Sequence, residues 1–181
     1  MMSRIVIACL LLGMLQVYAQ DTYVTNSGEI TFNASTPLED INAINTAVNG
    51  IFKNDSGDIG AVLLLRDFRF RKKLMEEHFN ENYVESEKYP KATFRGTLLG
   101  YSKDSITKDK YPLEGILTIR EISREISAMA TVQKDNDDFW LQTEFIVRPE
   151  DFDIRVPRLL FRKIAREVKV TVDLKLEPSE K

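Results

Sequence analysis

The chain has 181 residues, 29% of them charged, with 25 Lys and Arg against 28 Asp and Glu and a formal net charge of −3. Charges of both signs are interspersed, which leaves no basic stripe for a nucleic acid and no polybasic patch for a membrane surface. One cysteine and one histidine exclude a disulfide scaffold and leave only carboxylates to complete a zinc site, so neither a metal nor another cofactor is expected.

Met1 to Ala19 reads as a secretory signal peptide: Arg4, an apolar run from Ile5 to Leu15, then Val17-Tyr18-Ala19 ahead of Gln20. Its apolar core is shorter than the roughly 20 residues a spanning helix needs. The predicted cut follows Ala19 and yields a periplasmic or secreted protein, one domain over residues 20–181. A rival reading processes the chain as a lipoprotein at Cys9, but the apolar stretch Ile5 to Ala8 before it is shorter than an export signal's usual core of about 7 to 15 residues. Cys9 is the one cysteine of the chain, so the mature domain has none and rests on its hydrophobic core.

From there the pattern is mostly that of strands. Glu29 to Ala34 alternates with Ile30, Phe32 and Ala34 on one face, and Pro37 to Asp40 turns the chain. A second strand, Ala43 to Lys53, presents Val48, Gly50 and Phe52 together, and Asn54-Asp55-Ser56-Gly57 reads as a hairpin turn into a third strand, Ile59 to Phe70. Ala61 to Leu65 are all apolar, as expected of a strand covered on both faces. Phe70, Leu74 and His78 then recur at spacing four, with Met75 and Phe79 beside them, which predicts a short amphipathic helix whose opposite side carries Arg71, Lys72 and Glu76. Pro90 ends the loop that follows.

Phe94, Gly96, Leu98 and Gly100 share a face of the next strand, a polar connection runs from Ser102 to Lys110, and Tyr111, Leu113, Gly115, Leu117 and Ile119 begin another. Ile122 to Val132 alternates again, Gln133 to Asp138 reads as a turn, and Phe139, Leu141, Thr143, Phe145 and Val147 follow. A second short helix is expected around Leu159 to Ala165. The last strand has the cleanest alternation, Val168, Val170, Val172, Leu174 and Leu176 against Lys169, Thr171, Asp173 and Lys175. This is an all-β chain of about eight strands with one or two short helices, arranged as an antiparallel barrel or sandwich. Gly50, Gly96, Gly100, Gly115, Ala128 and Ala130 fall on inward faces; together they favour a lumen, while any single glycine is better explained by a bend or bulge. The helix at Phe70 to Phe79 would close the mouth of such a barrel.

With that pattern in place, the sequence resembles the YceI-like family of exported, lipocalin-like barrels that bind polyisoprenoid lipids. The most specific stretch is Leu74 to Gly96, LMEEHFNENYVESEKYPKATFRG, similar to the form seen in Bacteroidetes members. Supporting it are Gly28 to Phe32, Gly50-Ile51-Phe52, Gly115 to Ile119, Arg148 to Phe152 and Val156-Pro157. One element departs: many members carry Arg-Asp-x-His-Leu before the short helix, whereas Arg66-Asp67 is followed here by Phe68-Arg69-Phe70 and the histidine comes later, as His78. The resemblance implies a long apolar cavity, a long-chain lipid or isoprenoid quinone-like ligand, transient contact with a membrane, and a monomer or homodimer.

The aromatic and methionine set supplies the candidate lining: Phe32, Phe52, Phe68, Phe70, Met75, Phe79, Phe94, Gly96, Leu98, Leu117, Met129 and Phe145. Wide, soft side chains suit an elongated apolar ligand, since each buried methylene contributes about 0.8 kcal/mol and needs no partner; the same side chains would equally fill a solid core. Arg66, Arg69, Arg71 and Lys72 stand where they could meet an anionic head group or form an exposed flank. No serine lies in a nucleophile-elbow pattern, and adjacent carboxylates such as Glu76-Glu77 diverge by about 100° on a helix, so no catalytic residue is assigned. The expected function is therefore non-catalytic carriage or storage of a long-chain amphiphile. The alternatives are a filled barrel acting as an envelope interaction module and an enzyme acting on lipids.

Overall fold

The computed structural model describes residues 21–105, 108–157 and 164–179; the signal-peptide reading and most of the helix expected around Leu159 lie outside them. Nine strands are found among the described residues: β1 (Thr22–Asn33), β2 (Asn42–Lys53), β3 (Asp58–Leu64), β4 (Arg69–Phe70), β5 (Lys91–Leu98), β6 (Lys108–Ile119), β7 (Ile122–Asp135), β8 (Asp138–Val147) and β9 (Val168–Pro178). All pairings are antiparallel, in the order β1-β9-β8-β7-β6-β5-β3-β2-β4, and β1 pairs back to β2. Eight strands thus close a barrel, with no edge left among the long ones, and the two-residue β4 is an addition on β2.

The side-chain alternation read from the sequence is the alternation of the wall. Along β9, Val172, Leu174 and Leu176 are buried while Lys169 and Lys175 are exposed, and β8 buries Phe139, Leu141, Thr143 and Val147 in step with it. β1 is longer than its apolar pattern indicated. Its first half is polar because two register shifts against β2, on either side of Gly28, break the period-two signal.

β3 is shorter than expected. It stops at Leu64, and a 3-10 turn, Leu65–Asp67, carries the chain to β4. β3 leaves β2 after the Asn49–Val62 pair, and Asn45 of β2 fills the gap, its amide donating to the Leu64 carbonyl at 3.0 Å. Phe70 is consequently a strand residue paired with Ala43, not the first turn of a helix. The helix α1 spans Lys73–His78 and continues as a wider π-type turn through Phe79–Tyr83, eleven residues in all.

Two hairpins show why some turns were missed. Gly100 is a turn residue at φ +72°, not a member of the β5 face. Between β6 and β7 the turn is Arg120-Glu121, both left-handed at φ +50° and +63°, without the Gly or Asn that usually announces it.

Half of the barrel is solid. Phe52 and Phe139 are fully buried with ring centroids 5.2 Å apart; Tyr23 meets Phe139 edge-on at 4.6 Å, and Tyr101 meets Phe52 at 5.3 Å. Leu98, Leu113, Val132, Leu141, Leu174 and Leu176 complete this end. Burial raises the Tyr101 hydroxyl well above its ordinary range, and that hydroxyl donates to the Asn54 side chain.

Candidate functional site

The other half of the barrel is not filled. A cavity of about 460 Å³ lies there, walled by the inward residues of β1, β3, β5, β6, β8 and β9 at their mouth-side ends, for instance Ile30, Leu63, Ala92, Leu117, Val147 and Val170. Strand periodicity alone aims these side chains inward, so the cavity is a consequence of which inward positions carry small or aliphatic residues.

α1 covers one side of the mouth. Phe79 reaches from it into a cluster of rings, with centroids 5.5 Å from Phe32, 5.6 Å from Phe68 and 5.2 Å from Phe70. No residue of α1 or its π-type extension is fully buried, and Leu74, placed by spacing on the apolar side, is 60% exposed. Glu76, expected on the polar side, is instead turned inward. Its side chain is 16% exposed, and its carboxylate accepts the Phe70 backbone N–H at 3.2 Å with Lys73 at 3.6 Å and Arg69 at 3.8 Å. The cause is the N-terminal boundary: because β4 holds Phe70 in extended form, α1 starts three residues later than the spacing implied, and the face it presents is rotated.

The polar groups of the cavity stand where α1 meets the β1–β2 turn. Lys72 and Glu39 form an ion pair at 2.6 Å, and His78 also borders the space. Tyr83 borders it too, and burial raises its hydroxyl above its ordinary range, so it is a neutral hydrogen-bonding group at any physiological pH. Among the described residues no three His, Cys, Asp or Glu side chains group as metal ligands.

Of the candidate lining, the structure brings seven residues together around the cavity: Phe32, Phe68, Phe70, Met75, Phe79, Leu117 and Phe145. Five lie elsewhere. Phe52 and Leu98 are in the solid half. Met129 stands on the outer wall, 52% exposed, because it lies between the inward-facing Ala128 and Ala130. Phe94 spends its ring on glycines: a Cβ at Gly96 or at its cross-strand partner Gly115 would sit 2.6 Å from Phe94 Cζ. These glycines therefore seat an aromatic ring, and Gly50 likewise lies under Leu174 and Leu176; the inward glycines Gly50, Gly96 and Gly115 are covered and do not border the cavity. Sequence reasoning missed the aliphatic walls such as Ile30, Val168 and Val170, although the alternation of β1 and β9 already turned them inward.

At the same end, Arg120 in the β6–β7 turn is a tie between segments. Its guanidinium donates to the carbonyls of Phe152 and Asp153 and to Glu85, and lies over the Tyr89 ring at 5.1 Å. It joins the segment after the helix to the 3-10 turn Pro149–Phe152, of which Pro149 borders the cavity together with the following Ile154 and Val156.

The sequence matches the YceI-like domain over residues 19–176. The chain belongs to the YceI-like family. Solved structures agree with that membership at the level of fold. A polyisoprenoid-binding domain from Saccharophagus degradans, implicated in plant cell wall breakdown, is 12% identical with a TM-score of 0.75, covering 89% of this chain and all of that one. Burkholderia cenocepacia BcnA is 15% identical with a TM-score of 0.71 over 82% of this chain and 95% of its own. The Campylobacter jejuni YceI protein is 14% identical with a TM-score of 0.58 over 92% and 89%. No curated protein matches the sequence. The eight-stranded barrel of this YceI-like chain is thus a family architecture.

Proposed function

We propose that this protein carries or stores a long-chain apolar lipid in the unfilled half of its barrel, as an exported, non-catalytic binding protein. The observation that carries the reading is the cavity: about 460 Å³, walled by aliphatic and aromatic side chains, closed at one end by the solid core and bordered at the other by α1. That volume is within the usual range for ligand pockets. At about 30 Å³ per heavy atom, the share of a water molecule in liquid, it holds roughly 15 carbon atoms, so a longer chain would extend through the mouth. An isoprenoid or fatty chain fits, because the wall offers dispersion contact and few hydrogen-bonding groups.

The polyisoprenoid-binding description of the Saccharophagus domain supports the ligand class. The described lining includes no Ser, Thr or Cys, which supports the non-catalytic part. The lining positions Phe32, Phe68, Phe70, Met75, Phe79, Leu117 and Phe145 are the proposed ligand contacts. Export follows from the reading of Met1 to Ala19, with the binding domain beginning at Gln20.

Native mass spectrometry with solvent extraction, on the mature chain purified without detergent from its own envelope, tests this reading. A stoichiometric long-chain lipid is the expected result. A ligand-free mass that stays unchanged after incubation with isoprenoid quinones and fatty acids would overturn it in favour of an interaction module, the reading that the solid half of the barrel favours.

A further inference from the structure

On the outside of the wall, behind the rings of Phe32 and Phe70, lies a second and more open hollow of about 650 Å³. Its side chains come from four strands whose registers bring them together. Ile44 of β2 is opposite Arg69 of β4 and Thr31 of β1, Thr31 is opposite Thr171 of β9, and Asn33 of β1 is opposite both Asn42 of β2 and Lys169 of β9. Arg71, just past β4, completes the rim. Three cations, two amides and two hydroxyls border this hollow, and no carboxylate does.

The acids nearby are already engaged. Glu144 takes Lys169 at 2.6 Å and the Thr171 hydroxyl at 3.4 Å, Asp40 accepts the Asn42 side-chain amide, and Glu76, 3.8 Å from Arg69, accepts the Phe70 N–H. Arg69 Nη1 donates to the Arg66 carbonyl at 2.8 Å, which fixes that arm in place. Arg71 is exposed and makes no hydrogen bond or ion pair among the described residues, so its guanidinium fork is available.

We propose that this hollow binds a phosphate or pyrophosphate group. A single carboxylate is satisfied by one guanidinium, whereas a phosphate carries up to two charges on three or more acceptor oxygens and takes Arg forks with further donors around them. Asn33 and Asn42 end their strands at the same rim as Lys72 and Glu39, so a phosphate in the hollow can belong to an amphiphile whose chain enters the cavity over that rim, or be free in solution. In the first case the inference rests on the carrier reading and narrows it, to a phosphorylated lipid in preference to a neutral one.

The test uses the mature chain and three probes: a prenyl alcohol, the corresponding prenyl monophosphate, and inorganic phosphate. Affinities for the two lipids are compared by native mass spectrometry, and amide NMR shifts around Thr31, Asn33 and Arg71 report inorganic phosphate. The expected result is a preference for the monophosphate of roughly tenfold or more, the usual contribution of charge-assisted hydrogen bonds, lost in the exposed double variant Arg71→Glu/Lys169→Glu. Local amide shifts with inorganic phosphate alone assign the site to free phosphate; shifts with the prenyl phosphate only assign it to a head group. Equal affinity for alcohol and monophosphate with no inorganic-phosphate shift overturns the inference, as does a preference that survives in the double variant. If neither lipid binds, the carrier reading falls, and the inorganic-phosphate shifts still decide the hollow.

Discussion

Phe79 is the residue through which α1 holds the barrel, and its removal has a calculable consequence. Its ring meets three others, Phe32, Phe68 and Phe70, at 5.2 to 5.6 Å. Aromatic pairs of this kind contribute about 0.5–1.5 kcal/mol each beyond the area they bury, so Phe79→Ala removes roughly 2–3 kcal/mol from the closed position of the helix. If ligand leaves by displacement of α1, the dissociation rate rises roughly 30- to 150-fold at tenfold per 1.4 kcal/mol. Global stability falls by no more than the same roughly 2–3 kcal/mol, because the opened helix and the unfolded chain both lack these ring contacts and the solid half of the barrel is untouched. The measurement is stopped-flow displacement of a fluorescent long-chain fatty acid, with thermal unfolding by circular dichroism as the companion. Phe79→Leu, which keeps apolar bulk without the ring, gives a smaller increase. A dissociation rate within threefold of the wild type in a folded Phe79→Ala variant would refute the idea that α1 gates the cavity.

Three further outcomes follow from single observations. Gly96→Ala places a Cβ 2.5 Å from the Glu114 carbonyl and 2.6 Å from the Phe94 ring; at an overpacking cost of about 2–3 kcal/mol the melting temperature falls by about 4–12 °C, and an unchanged melting temperature contradicts the seating of Phe94. Arg120→Asn installs a residue that accepts φ +50° more readily but loses the charge-assisted bonds to Glu85 and the 152–153 carbonyls; a net loss of about 2 kcal/mol is expected by urea unfolding, and a gain in stability would show that backbone strain outweighs the tie. The Asp58 carboxyl is held below its ordinary range first by the Ser56 hydroxyl and then by Thr97, at 2.8 and 2.9 Å. With the folded value below the unfolded one, its stabilisation is complete above about pH 4 and lost as pH falls through the folded value, so Asp58→Asn makes stability less dependent on pH below 4 in denaturant titrations, and an unaltered pH profile rejects the assignment.

The barrel was legible in the sequence wherever one face of a strand was uniformly apolar. β8 and β9 could be read residue by residue, as could Val48, Gly50 and Phe52 of β2, and Leu117 and Phe145 fall on the cavity side because they belong to such series. The first half of β1 was not legible, since Thr25-Asn26-Ser27 spans a register shift that scrambles the alternation. The Arg120-Glu121 turn was invisible because a side-chain tie, not a glycine, sustains its left-handed backbone. For the cavity, residue type misled where period informed. Aromatic and methionine residues were favoured for their softness, yet Met129 lies between two inward alanines and must face out, while Ile30 and Val170 sit on inward positions of well-read strands. The rotation of α1 depended on the pairing of Phe70 with Ala43, a contact between distant segments that no local spacing reveals.

The two halves of the barrel are held by different forces, and that difference bears on how a ligand would enter. The solid end is joined by interlocked rings and aliphatic side chains, which cannot separate without exposing a large apolar area. Around the mouth one ring cluster, Phe79 with Phe32, Phe68 and Phe70, is joined by discrete polar ties: Lys72 to Glu39 at the start of α1, Glu76 to the Phe70 N–H one turn later, and Arg120 to Glu85 and the 152–153 carbonyls behind it. Three of the five non-glycine residues with positive φ among the described residues, Glu85, Arg120 and Asp153, are the ones that this last tie connects. Left-handed backbone costs of order 1–3 kcal/mol per residue and persists only where the surroundings over-determine it, so the segment behind α1 is fixed in shape. The start of α1 is different. Its ion pair is formed by a lysine side chain 61% exposed, and such a bond exchanges with water at little net cost. If α1 opens, displacement is easiest at the Lys72–Glu39 edge once Phe79 leaves its ring cluster, because the Glu85–Arg120 side is held by several bonds at once.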